Sequence, residues 1–368
     1  VTGVQTCALP IWIRFTAGLP SVHASGQAAG HPAEAGPGGE RGFRVMAGGG
    51  TALMCRSAAI IHEYVPASEL YRVCEALLMV FREHGDYEHR QRNRMKFMIK
   101  TLGWDRFMEA YQQALAWCRG AGGVAMLEID PPVMEPTPQW ARAEAPDARL
   151  IASRVSAAMP VGPGITPSLV PVLATGDEAY SRWGTTNVRP QKQSGYVTAI
   201  VTVPLGDLTS EQMRVVGELA RAYGDGTVRV TVDQNLVIRW VPVGEVRELY
   251  GRLAAASLGL ASAGSIADVN SCPGAESCRL AVTQSRGLGR LLGDVLRQRQ
   301  DLVDAAGGAQ IKVSGCPNGC GQHHIATIGF QGSVRKVGGK AVPQYFVMVG
   351  GGATAAGARF ARTAAKIP

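Results

Sequence analysis

The sequence predicts an α+β chain in which one structural unit occurs twice and only the second copy is nearly complete. Three observations predict it. Apolar residues recur with the strand period of two and the helix period of 3.6 in separate blocks of the chain. A strand pattern running into three glycines near the start returns 302 residues later, near the end. Two closely spaced cysteine pairs fall in the last third.

Composition bounds the rest. At 368 residues the chain has room for two or three domains of ordinary size. Apolar residues make up 46%, and 46 glycines with 21 prolines stay short of low-complexity composition. No stretch approaches the roughly 18 apolar residues of a membrane-spanning helix; the run from Ala76 to Phe81 is broken by Arg82 and Glu83. The formal charge of +8 favours anions, whether nucleic acid, an acidic protein, or an acidic substrate or cofactor. Eight cysteines are too sparse for a disulfide scaffold, and four of them sit in two tight pairs, the pattern of metal ligation in a reducing compartment. The cytoplasm is the expected location.

Residues 1–11 (VTGVQTCALPI) resemble an in-frame translation of a sequencing adapter and are set aside, Cys7 included. Residues 12–40, rich in Gly, Ala, Pro and His without a clean period, are expected to lack regular structure. No Lys or Arg precedes Arg14, so a signal peptide is not expected. Val45-Met46-Ala47-Gly48-Gly49-Gly50 then aligns with Val347-Met348-Val349-Gly350-Gly351-Gly352, and Pro66 with Pro368, with 7 of 22 positions identical. Two such copies in register indicate a duplicated unit. The first copy, residues 41–66, is expected to have lost nearly everything before residue 41, and the chain to be a fragment truncated at both ends.

Residues 67–120 read as helical. Leu70, Val73, Cys74, Leu77, Leu78 and Phe81 keep helical spacing after a candidate cap at Ser68 and before Gly85. Trp104, Phe107, Met108, Tyr111, Leu115 and Cys118 form a second helix, with Cys74 and Cys118 as buried thiols. The basic run Arg90, Arg92, Arg94, Lys96 and Lys100 between them reads as a solvated face or an anion contact. Clustered prolines make residues 121–180 a linker with short extended pieces. Residues 181–258 follow in the order β-α-β-β-α, that of a ferredoxin-like half-domain. Its parts are a strand over Tyr196–Val203, a capping box at Thr209 to Gln212 opening a helix to Tyr223, strands over Thr227–Val232 and Leu236–Val241, and a helix over Gly244–Ser257. Arg229, Thr231, Gln234 and Asn235 stand where a sheet end presents polar groups to a ligand or merely satisfies a turn.

The last block, residues 259–368, carries the chemistry. Five residues lie between Cys272 and Cys278, three between Cys316 and Cys320, and 37 between the pairs. Two short-spaced pairs far apart in sequence can converge as four thiolates. Each pair encloses Pro and Gly, which suits a stiff turn with open amides. An apparent helix through Leu280, Ala281, Gln284, Leu288, Leu291, Leu292 and Val295 would aim its N-terminal amides at Cys278. Four thiolates hold a 4Fe-4S cluster, one per iron, or a structural zinc, although zinc sites favour shorter gaps than the five-residue one. His323 and His324 are expected to pack or hydrogen-bond near the second turn, or to act as ligands in a zinc site.

These two cysteine motifs, with Asp268-Val269-Asn270-Ser271 before the first and Ile325 to Phe330 after the second, resemble the siroheme and 4Fe-4S domain of the nitrite and sulfite reductase family. Gln191 to Tyr196 and Arg229 to Asn235 resemble its ferredoxin-like half-domain, and Arg94-Met95-Lys96-Phe97 with Leu102-Gly103 its helical segment. The resemblance covers residues 41–368. It implies a duplicated ferredoxin-like half-domain plus siroheme/4Fe-4S domain, with 41–66 as the end of the first siroheme-type domain. It implies further that Cys272, Cys278, Cys316 and Cys320 ligate the cluster, that Cys320 also bridges to the siroheme iron, and that Ser314 and Asn318 contact siroheme. The implied reaction is the six-electron reduction of sulfite to sulfide or nitrite to ammonium, with ferredoxin as donor and without nucleic acid or membrane partners. The family's substrate-gripping Arg and Lys come largely from the missing first half, so no catalytic acid or base is named and the chain alone is expected to be inactive. A zinc-stabilised basic module and a haem-free iron-sulfur electron carrier are the competing readings.

Overall fold

The computed structural model describes residues 13–18, 42–89, 92–121, 137–158, 176–354 and 357–368. The segment 1–11 lies outside them. The chain divides into two units, Val1–Met134 with Gly352–Phe360, and Glu135–Gly351 with Ala361–Pro368. Among the described residues, no helix is long and apolar enough to cross a membrane.

In the first unit, β1 (Ile13–Gly18), β2 (Gly42–Ala47) and β3 (Ala59–Pro66) form an antiparallel sheet in that order. The helices α1 (Leu70–His84), α2 (Met95–Leu102) and α3 (Trp104–Gly120) follow. Val73, Leu77 and Phe81 of α1 share a core with Met95 and Ile99 of α2, Phe107, Tyr111 and Leu115 of α3, and Val45 and Ala47 of β2. Ser68 does not occupy the expected cap: it lies inside a 3-10 turn, Ala67–Glu69, that runs straight into α1. The basic run is not one solvated face either. Arg92 and Lys100 are exposed, but Lys96 is buried and its Nζ donates to the Leu53 carbonyl at 2.7 Å; Arg90 lies outside the described residues. Cys118 is buried as expected and Cys74 half-buried.

The second unit begins with α4 (Ala148–Ala157), which the sequence gives to the linker. Asp147 caps it by accepting from the amides of Arg149 and Leu150. Its Ile151 and Val155 enter the same core as Trp183. Only two of its apolar positions, Ile151 and Val155, are buried, too few to stand out among the prolines. After α5 (Asp177–Asn187) come β4 (Val188–Pro190), β5 (Tyr196–Val201), α6 (Ser210–Tyr223), β6 (Val228–Val230), β7 (Leu236–Pro242) and α7 (Val246–Ala255). The sheet order is β4-β5-β7-β6, all antiparallel, so the expected β-α-β-β-α order stands with one edge strand added. The capping box forms as expected: Thr209 Oγ1 accepts from the Gln212 amide and Gln212 Oε1 from the Thr209 amide, both at 3.1 Å.

The cysteine-bearing part has β8 (Asn270–Ser271), α8 (Ser285–Gln298), α9 (Gln300–Ala305), β9 (Ile311–Ser314), β10 (Ile328–Val337), β11 (Lys340–Val349) and β14 (Arg362–Ile367). They make one sheet in the order β14-β11-β10-β9-β8. The pairs β8–β9 and β9–β10 are parallel, the others antiparallel. Ile311, Val313, Phe330 and Tyr345 build its core with Val269 and Leu296. The short hairpin β12 (Gly352–Thr354) and β13 (Gly357–Arg359) groups with the first unit.

The repeat is real and longer than its sequence trace. β1-β2-β3 and β10-β11-β14 share one order and one pairing sense. Ile13 pairs with Ala47 and Phe15 with Val45, just as Ile328 pairs with Val349 and Phe330 with Val347. Ile13 and Phe15 therefore answer Ile328 and Phe330, and the first copy reaches back to residue 13, into a segment expected to lack structure. The alignment at 302 misses this strand because β1 reaches β2 through residues 19–41, whereas Gly338 and Gly339 alone join β10 to β11. After β2 and β11, Gly48 and Gly350 take φ of +80° and +82°, a region open to glycine. A Cβ on Gly49 would strike the Ala58 backbone, and one on Gly351 the Ala326 backbone.

Candidate metal centre at the two cysteine turns

β8 and β9 run parallel, with Asn270 beside Lys312 and Ser271 beside Val313. Each strand ends, at its carboxyl end, in a cysteine turn: Ser271 leads to Cys272, and Ser314 through Gly315 to Cys316. Carboxyl ends of neighbouring parallel strands are where open sheets present ligand sites, and such strands lie about 4.8 Å apart. The turns are also bonded to each other. The Cys272 amide donates to Val313 O at 3.1 Å, the Gly315 amide to Cys272 Sγ at 3.2 Å, and the Val282 amide to Gly315 O at 2.8 Å. Gly315 is required there, because a Cβ would come within 2.9 Å of both Gly274 Cα and Ala281 Cβ and force the turns apart.

The first turn continues through a 3-10 turn, Gly274–Glu276, and α8 opens only at Ser285. The helix expected directly after Cys278 is therefore absent, since the amides of Ala275 and Val282 are taken by Thr283 O and Gly315 O. The start of α8 faces Cys272 instead: buried Ser285 donates from Oγ to Cys272 O at 2.9 Å and sits 3.3 Å from its Sγ. Arg286 ties the turn down through ion pairs with Glu276 and Asp207. In the second turn Ser314, 1% exposed, accepts from the Gly321 amide at 3.0 Å, closing the loop from beneath. Asn318 and Cys320 are exposed at its tip.

Cys272 and Cys316 are buried, Cys278 half-buried and Cys320 exposed, and none of them is in a disulfide. Among the described residues, no three His, Cys, Asp or Glu side chains gather around one point as a single metal ion needs. One tetrahedral zinc draws its sulfurs to about 2.3 Å, whereas a cluster with one thiolate per iron spaces them more widely. Four thiols on two mutually bonded glycine turns have the chemistry a 4Fe-4S cluster takes, one thiolate per iron.

His323 and His324 follow in a short 3-10 turn, with ring centroids 3.9 Å apart. His323 is fully buried and hydrogen-bonded to Gln331 at 3.1 Å; burial, then the neighbouring His324, lowers its pKa to about 3 and keeps it neutral. It packs and hydrogen-bonds near the turn, as expected. Gln234, at φ +64°, donates from Nε2 to Ser271 O at 2.9 Å and accepts from the Ser271 amide at 3.0 Å, bracketing the residue before Cys272. Asn235 accepts from the Val203 amide and donates to Asp268, whose burial raises its pKa to about 6. Thr231 accepts from the Asn235 amide. These residues brace the turn, and Arg229 is exposed. Sequence reasoning misses Ser285, Gly315 and Lys312; a lysine between Ile311 and Val313, just ahead of the second cysteine turn, is the signal that could have revealed the last.

Comparison with known proteins matches residues 189–256 to the nitrite/sulfite reductase ferredoxin-like half domain, and residues 30–118 and 262–367 to the nitrite and sulphite reductase 4Fe-4S domain. The ferredoxin–nitrite reductase of Synechococcus elongatus is 25% identical over 85% of this chain and 51% of its own length. Sulfite reductase [ferredoxin] 1 of Mycolicibacterium paratuberculosis is 29% identical over 88% and 48%. The chain thus spans about half the length of the curated relatives it matches. The structure of the Mycobacterium tuberculosis NirA protein shares the fold, with a TM-score of 0.61 and 24% identity over 90% of this chain and 52% of that one. With two family models matched across both parts of the fold, the chain belongs to the nitrite and sulfite reductase family, whose cofactors are a 4Fe-4S cluster and siroheme.

Proposed function

We propose that this chain carries the cluster-binding part of a reductase that converts sulfite to sulfide or nitrite to ammonium with six electrons. One observation carries the reading: two cysteine turns leave the carboxyl ends of adjacent parallel strands and are bonded through Gly315 and Cys272. Cys272, Cys278, Cys316 and Cys320 would hold the cluster, and Cys320, exposed at the tip, would be the thiolate it shares with the siroheme. Asn318 beside it would contact the siroheme; Ser314, expected to do the same, is 1% exposed and accepts from the Gly321 amide, so its part is to shape the turn that presents both. When bound, the paired cofactors store electrons and offer an iron to the anion. The chain's own part is to fix the thiolates, through the Gly315 amide and Ser285, and to shield the inner pair from water. The charge of +8 suits an anionic substrate and an acidic donor. Ferredoxin is named as donor for the relatives above, and we take it as the donor here. A reducing compartment such as the cytoplasm keeps the four thiols available.

The test is the visible spectrum of the protein loaded anaerobically with iron, sulfide and siroheme. Reduction of the cluster is expected to perturb the siroheme bands in the wild type and to leave them unmoved in Cys320→Ala. A Cys320→Ala spectrum identical to wild type in both redox states overturns the bridging role. Because the chain alone is expected to be inactive, the substrate is identified by activity of the dye-reduced full-length reductase with sulfite and nitrite side by side.

A further inference from the structure

Lys312 lies on β9, four residues before Cys316, and is 3% exposed. Its Nζ donates to Asp233 Oδ1 at 2.8 Å, to Asn270 Oδ1 at 2.8 Å and to Gln322 Oε1 at 3.4 Å. These partners come from three segments. Asp233 belongs to the half-domain turn that also carries Gln234; Asn270 lies two residues before Cys272; Gln322 lies two residues after Cys320. Asn270 Nδ2 donates in turn to Asp233 O at 2.7 Å, so the group is closed on itself. An ammonium taken out of water carries a heavy desolvation cost, and an apolar side chain of equal length would fill the strand without it. A charge kept in such a place calls for a reason beyond packing.

We propose that Lys312 is a positioning residue that locks the two cysteine turns together and sets a fixed positive charge behind the cluster. This rests on the cluster reading given above. Its side chain is 4% exposed whereas that of Asp233 is 37% exposed, so water screens the carboxylate more than the ammonium. The pair therefore contributes a positive field on the buried side, which favours the reduced cluster, against a background from Asp268 that all the variants below share. Net charge near a cluster is among the determinants of its potential.

The experiment is a redox titration, followed by electron paramagnetic resonance, of the full chain loaded anaerobically with iron and sulfide. Lys312→Met is expected to lower the cluster potential and Asp233→Asn to raise it, each by the order of a tenfold change in the reduction equilibrium, about 59 mV for one electron. Lys312→Arg and the double variant Lys312→Met/Asp233→Asn are expected to fall between the two. A merely structural role would not move the two single variants in opposite directions. If both leave the potential unchanged, or shift it the same way, the inference is overturned. Should Lys312→Met not fold, Asp233→Asn with an unshifted potential overturns it alone. Failure of the wild type to take up iron defeats the cluster reading itself.

Discussion

The two copies of the repeat share a scaffold and differ in chemistry. In both, three antiparallel strands carry a central strand that ends in a glycine triplet, with the first glycine at positive φ and the second packed against backbone. Among the described residues, the second copy extends past its outer strand through two parallel pairs, β10–β9 and β9–β8, and the cysteine turns leave the sheet there. The triplet is therefore structural punctuation that serves either copy. The thiol chemistry depends on the added parallel strands, which place two chain turns side by side.

The sharpest way to break that comparison is to remove thiols on each side of it. Alanine at Cys272 or Cys316 is expected to reduce bound iron to background after anaerobic loading, while alanine at Cys55, Cys74 or Cys118 leaves iron content unchanged. Next in size, Gly49→Ala and Gly351→Ala should each cost about 1–3 kcal/mol by overpacking, read as a lower denaturant midpoint for each variant. A cost confined to one of them would show that the triplets are not equivalent.

Acid sensitivity should be greatest beside the second copy, although burial also lowers the pKa of His62 on β3 of the first. The folded-state pKa of His323, about 3, lies below the ordinary 6.5, so folding favours the neutral ring. Its contribution is fully present above pH 6.5 and is lost as pH falls from 6.5 toward 3. His323→Gln should flatten the stability profile across that window. Asp268, raised to about 6, works in the opposite sense between its ordinary 3.8 and 6, so Asp268→Asn should steepen the same acid loss. The smallest effect lies outside both copies: Thr209→Ala removes the capping box of α6 and should cost about 1 kcal/mol without changing iron uptake.

What the sequence shows depends on how local the determinant is. The capping box at Thr209, the α1 and α3 apolar stripes and the cysteine spacings are visible because each is written within a few residues. β1 stays hidden because its register is fixed by β2 across a connection of different length in each copy. α4 stays hidden because Ile151 and Val155 gain meaning only from a core built by later residues. At the site, the four thiols are legible but their support is not. Ser285 meets Cys272 only because α8 starts where the turn-to-turn hydrogen bonds end, and Lys312 finds its partners 79, 42 and 10 residues away. The expected helix at Cys278 fails for the same reason: pairing with Gly315 takes the amide of Val282.

The measurement that bears most directly on the central claim is elemental: iron, acid-labile sulfide and zinc per chain after anaerobic loading with all three offered together. Four thiols on two joined turns should hold about four irons and four sulfides per chain, with a paramagnetic signal on reduction. Stoichiometric zinc with neither iron nor sulfide would contradict the account.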